Sequence, residues 1–294
     1  MTSSIDSSLA KGIRRAYLQE IEKSFEKLIK IRKQKTQRNP NINICSKKSL
    51  NKEIDKLRMQ LKHAGITHTE FLVNLPSRVL WASLFISREN FQNSNSRKGL
   101  NPRGYARVNV LAASYPADEW LSKLNIKITG HAIDRVIQRI KILNLPIKQD
   151  DVQAISTELS QSLAWAASTF FVLSKLDIND AKNLKFIYPT QHGFFLAGFY
   201  YQKERPELII TTYINRNNTW DEQVEALATL DGVSDAAIAF FAAHIISPSI
   251  IQASHDINAE RIFECWRNFG WRLQEKSYRP GKIDTKLKNL YENF

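Results

Sequence analysis

LKFIYPTQHGFFLAGFYYQKERPELIITTYI, residues 184–214, is the stretch that decides the fold class. Leu184–Tyr188, Phe194–Gln202 and Leu208–Ile214 are rich in β-branched and aromatic residues, which fit a pleated, half-buried surface. Gly193 and the pair Arg205-Pro206 punctuate them as turns. Connections this short join antiparallel neighbours, so the segment predicts a small antiparallel sheet.

Upstream the periodicity changes. Ile155, Leu159, Leu163, Ala166, Phe170 and Leu173 recur at helical spacing and predict a helix over about 151–175. A shorter helix is expected from about His131 to Leu143, entered from the apolar stretch Leu124–Ile128 and closed by Pro146 and Asp150-Asp151. The class is therefore α+β: a small antiparallel sheet packed with two helices in the middle of the chain, flanked by helical N- and C-terminal regions. The expected divisions are a basic, mostly helical region over 1–118, an α+β module over 119–218 and a helical region over 219–294.

In the N-terminal region Ile13, Tyr17, Ile21, Phe25 and Leu28 form an apolar stripe, and Lys23, Lys27, Lys30, Arg32 and Lys33 fill the other faces. Asn39-Pro40-Asn41 breaks that helix, and a second basic helix is expected from Leu50 to about His63. The stretch 57–81, with Gly65-Ile66-Thr67 as its turn, carries only a faint helix-turn-helix pattern. Asn90–Arg107 reads as a long polar loop bearing Arg97, Lys98, Arg103 and Arg107. Downstream, Glu222–Leu230, Ala236–Ile246 and Ala259–Leu273 are expected helices.

Charge narrows the partners. The 294 residues hold 42 Lys+Arg and 29 Asp+Glu, a formal net charge of +13. Ten of those thirteen charges lie in residues 1–62. Such a balance suits a polyphosphate, because each neutralised phosphate releases a counterion. RNA, or DNA, is the expected partner, and Lys30, Arg32, Lys33, Arg97, Lys98, Arg103 and Arg107 are the expected phosphate contacts.

Several classes are disfavoured. Cys45 and Cys265 have no metal-ligand spacing and fit a reducing compartment. The Ser-rich start lacks the apolar core of a secretory signal, and the longest near-apolar run, Ala236–Ile246, is too short to span a bilayer. A cytoplasmic protein without a membrane partner is expected. There is no phosphate-binding Gly-Lys-Ser/Thr loop and no dinucleotide-binding glycine pattern, so no cofactor is expected. No metal site is expected either, since His-x-x-x-His, Cys-x-x-Cys and Asp-x-Asp are all missing. His192 reads as a surface turn residue, His244 as core or partner-facing, and His255-Asp256 as a weak loop pair.

The stretch Thr129-Gly-His-Ala-Ile-Asp-Arg-Val-Ile-Gln-Arg139 is the candidate for chemistry. At about 100° per residue, His131, Arg135, Gln138 and Arg139 share one wedge of a helix, opposite Ile133, Val136, Ile137 and Ile140. An imidazole titrating near neutrality moves the proton of a hydroxyl or a leaving oxygen, and neighbouring cations favour its neutral form. Guanidiniums bind phosphate oxygens in bidentate fashion and stabilise charge in the transition state. The first turn adds unpaired backbone N–H groups.

His131-Ala-x-x-Arg135-x-x-x-Arg139 resembles the opening helix of toxin-like domains in the barnase–EndoU–colicin–RelE ribonuclease superfamily. The second helix, the consecutive strands and the closing Thr211-Thr212-Tyr213 segment extend the resemblance over about 124–216. The connection from Arg139 to Asp151 is longer than in small members, and the flanking regions are additional. The resemblance implies a metal-independent endoribonuclease in which the 2′-hydroxyl attacks the adjacent phosphate. It makes His131 the general acid/base, Arg135 the phosphate clamp and Arg139 a second clamp or structural partner, and it has Thr211 and Tyr213 position the phosphate. Strict strand alternation places Thr211 and Tyr213 on one face and Thr212 on the other with Ile210 and Ile214. A toxin or effector role with an acidic neutralising protein partner follows from the resemblance alone. Two readings compete: a non-catalytic nucleic-acid-binding protein of a phage or mobile element, and a scaffold with a basic docking surface.

Overall fold

The computed structural model describes residues 6–38, 46–74, 79–88, 105–115, 125–140, 145–175, 185–190, 192–202 and 205–215. Their elements, in chain order, are α1 (Ser7–Arg38), α2 (Lys47–Ala64), β1 (His68–Asn74), β2 (Val79–Arg88), β3 (Ala106–Tyr115), β4 (Ile126–Ile128), α3 (Gly130–Arg139), α4 (Gln149–Lys175), β5 (Lys185–Pro189), β6 (Gly193–Gln202) and β7 (Arg205–Asn215). Helices and antiparallel strands make the class α+β, as the sequence predicts. The chain divides into two compact units, 1–163 and 164–294, with the division inside α4.

In the first unit α1 buries Ala10, Ile13, Tyr17, Leu18, Ile21 and Leu28; Ile13, Tyr17, Ile21 and Leu28 belong to the stripe expected from its spacing, and its other member, Phe25, is half-buried. α2 is closed at both ends by local chemistry. The Ser46 hydroxyl accepts the Ser49 N–H, and the Ser49 hydroxyl lies 3.1 Å from the Ser46 N–H, forming a capping box. Gly65 ends the helix at φ 72°, the left-handed conformation that favours glycine, while its N–H and that of Ile66 donate to Lys62 and Leu61.

β1 through β4 lie side by side in sequence order, each antiparallel to the next. Leu50, Ile54, Leu57 and Leu61 of α2, with Leu28 of α1, bury one sheet face through Trp81, Phe85, Leu111 and Ala113. The Thr69 hydroxyl of β1 donates to the Ser160 carbonyl of α4 at 2.7 Å.

These strands correct the sequence reading of 57–81 and of the region beyond it. Residues 47–64 are helical, but the segment after Gly65 forms β1 and β2 instead of a second helix of a helix-turn-helix. Residues 81–87 are buried on both faces of β2, so their sequence is a continuous run without the period of two that marks a half-buried strand.

The second unit contains the end of α4 and the antiparallel strands in the order β7-β6-β5. Arg205 and Pro206, read from sequence as a turn, lie within β7 opposite Gln202 and Tyr201. Gly193 is required by a close approach. A Cβ there would lie 2.3 Å from the Ile214 carbonyl oxygen and 2.6 Å from the Tyr213 ring. The expected helices over 222–273, with His244, His255, Asp256 and Cys265, lie outside the described residues, as do Arg97, Lys98 and Arg103. Among the described residues no helix is long and apolar enough to cross a membrane.

α2 is tied to β1 by charge. Arg58 donates from Nε and Nη2 to the Glu70 carboxylate at 2.9 and 2.8 Å, and His68 Nε2 lies 3.1 Å from the same carboxylate. Burial alone raises the Glu70 carboxyl, but hydrogen bonds from Arg58 and His68 and the Arg58 charge outweigh it and hold it below its ordinary value. A lowered folded-state value means stability that is complete above the unfolded value and lost as pH falls through the folded one. Glu70→Gln is therefore expected to cost about 1 kcal/mol at neutral pH. Urea titrations across pH should show wild type and variant converging in acid. A constant difference would contradict this account.

Candidate active site

α3 begins at Thr129, whose hydroxyl accepts the Ala132 N–H at 3.1 Å, and ends where the Ile140 N–H meets the Val136 carbonyl. Gly130, Ala132, Ile133, Val136 and Ile137 are buried. His131 is exposed, and Arg135, Gln138 and Arg139 are half-buried on the opposite face. The division into an apolar and a polar face follows the sequence reading. Arg135 Nη1 donates to Gln138 Oε1 at 3.2 Å, one turn further along the helix.

The azimuth of this helix is fixed by a partner that no local pattern reveals. Asp134 forms an ion pair with Arg14 of α1 at 2.5 Å, with the side chains only 14 and 11% exposed. Arg14 follows Ile13 in α1, and Tyr17 one turn on is also fully buried and meets Ser156 of α4 at 3.2 Å through its hydroxyl. Burial pushes the Tyr17 phenol far up, partly offset by the bond to Ser156, so it stays neutral. Asp134 sits inside the chemical motif, yet its partner lies 120 residues away.

The structure brings His131, Arg135, Gln138 and Arg139 together on α3, in the first unit. Thr211 and Tyr213 belong to β7, in the second. Their expected sharing of a face is corrected by a β-bulge. Leu196 faces Thr212 while Ala197 faces Ile210, so Thr211 is the extra residue and parity changes there. Tyr213 thereby joins Leu208 and Ile210 in the interior, 1% exposed, its ring 4.8 Å from that of Phe195. Thr211 turns its hydroxyl to the Leu196 carbonyl at 3.0 Å. His192 is exposed at the β5–β6 turn, as its place beside Gly193 suggests.

Of the expected phosphate contacts, Lys30, Arg32 and Lys33 are exposed on α1. Arg107 is exposed on β3, not in a loop. Among the described residues no cluster of three or more His, Cys, Asp or Glu side chains is arranged to hold a metal ion.

An exposed imidazole beside a guanidinium oriented by an amide offers a proton-transfer group and a two-pronged anion donor on one rigid element. No protein-family model, curated protein or solved structure matches this chain.

The start of α3, and with it the position of His131, depends on the Thr129 cap. Thr129→Ala is expected to lower stability by about 1 kcal/mol and Thr129→Ser to retain it, measured by chemical denaturation. Equal stability of the two variants would show that the cap does not hold the helix start.

Proposed function

We propose that this protein is an endoribonuclease that works without a metal ion, with α3 as its reacting face. The observation that carries the reading is the solvent-facing wedge of α3, on which His131 stands one turn from an Arg135 guanidinium steered by Gln138. His131 takes the proton of a 2′-hydroxyl, and the oxygen attacks the adjacent phosphorus. The bond from phosphorus to the 5′-oxygen breaks. The imidazolium returns its proton to that oxygen, leaving a 2′,3′-cyclic phosphate on one product and a 5′-hydroxyl on the other.

Arg135 clamps the non-bridging oxygens and offsets the charge that grows on them. Arg139 contributes to the same anion-binding face. In this reading Tyr213 serves packing, and the chemistry is assigned to α3 alone. The resemblance of the His131–Arg139 motif to toxin-like ribonucleases supports the reaction type. It also suggests a toxin or effector whose neutralising partner is an acidic protein covering the His131 face.

The test is cleavage of end-labelled RNA by the purified chain in the presence of a chelator. Wild type should produce cyclic-phosphate ends. His131→Ala should slow cutting at least about a hundredfold, with RNA affinity kept within a few-fold. No cutting by wild type, or undiminished cutting by the variant, overturns the assignment. The first outcome with RNA binding intact favours a non-catalytic nucleic-acid-binding protein.

A further inference from the structure

A groove runs between the later half of α1 and β3. Phe25, Ile29 and Arg32 line one wall, and Arg107, Val108 and Asn109 line the other. Its interior is apolar. Phe25 is half-buried against Phe85, with ring centroids 6.1 Å apart, and Ile29 is 36% exposed.

The rim is cationic. Arg32 and Arg107 stand on opposite walls, and Lys127 on β4 is the direct cross-strand partner of Arg107. Asn109 is held upright by a 2.6 Å hydrogen bond from its amide to the Ser87 hydroxyl. Glu26 stands on α1 with Lys30 and Lys33 within two turns after it, and Glu22, one turn before, pairs with Arg88 at 2.8 Å.

The geometry points to this groove as a binding site for single-stranded RNA, taking bases on its apolar interior and phosphates on Arg32, Arg107 and Lys127. A strand offers both parts at once, a flexible phosphate backbone and exposed base faces, whereas a duplex hides its bases. The inference rests on the reading of RNA as substrate and names the form of it that is held. Along α1, Arg32 lies eighteen residues beyond Arg14, the residue that ties α3, a separation of roughly 27 Å at 1.5 Å per residue. The groove is thus a second contact on the side of Arg32, while its other flank, at Lys127, lies four residues before His131.

The test measures binding of the full chain to a 2′-O-methylated single strand, which lacks the attacking hydroxyl. The result is therefore independent of whether α3 cuts RNA. Exposed Arg32 and Arg107 are changed together, R32A with R107A, with unchanged circular dichroism as the control for folding. Affinity at low salt should fall about tenfold, and the log–log salt slope should become shallower by about 1.4, because two fewer phosphates of a single strand are neutralised. A single variant, Lys127→Gln, should lower the slope by about 0.7 and checks the site without altering α1. An abasic strand of equal length should bind wild type several-fold more weakly.

Unchanged affinity and slope in the variants overturn the proposal. So does equal binding of the abasic strand, which makes the surface a phosphate track without base contact. Loss of polyglutamate binding with strand binding intact also overturns it, in favour of an acidic protein on the groove.

Discussion

The ion pair between Arg14 and Asp134 is the constraint on which the candidate site depends. It joins the first long helix to a ten-residue helix 120 residues later, and both side chains are largely withdrawn from water. Such a pair sacrifices much hydration and recovers it only when the geometry is good, so its value lies in specifying one arrangement over others. A short helix held by apolar contacts alone has several nearly equivalent rotations about its axis. Fixing Asp134 against α1 selects the rotation that buries Ile133, Val136 and Ile137 and leaves His131 outward.

Around this tie each unit solves a different packing problem. In the first, α2 and α1 cover one face of β2 and β3, and the charged contact from Arg58 to Glu70 pins α2 to the edge strand β1. In the second, the bulge at Thr211 changes strand parity and lets Tyr213 close over Gly193, where no larger residue fits. Burial likewise pushes the Tyr188 phenol far up, only partly offset by Thr169, so it stays neutral inside the sheet. Both tyrosines are therefore explained by packing.

Much of this is legible from the chain, for reasons that differ by element. α1 and α4 announce themselves because one face of each is apolar at a steady helical period, and β5, β6 and β7 because their aromatic runs are broken by short turns. The polar wedge of α3 follows from the same arithmetic. β2 is hidden because burial on both faces erases alternation, and the parity of β7 because a bulge has no composition of its own. The Arg14–Asp134 tie and the groove holding Arg32 and Arg107 join residues far apart in sequence, which periodicity never relates. Arg107 itself reads as a loop residue, since the polar segment before it masks the start of β3.

The proposed division of labour is that α3 reacts and the surface of α1 and β3 holds the strand, with α1 as the common frame. The most direct measurement of that frame is a double-mutant cycle on unfolding free energy with Arg14→Met, Asp134→Asn and the pair combined. The account predicts a coupling on the order of 1–3 kcal/mol, the doubly changed protein being much less destabilised than the two single effects added together. Additivity within about 0.5 kcal/mol would contradict it and would mean that α3 is oriented by something other than Arg14.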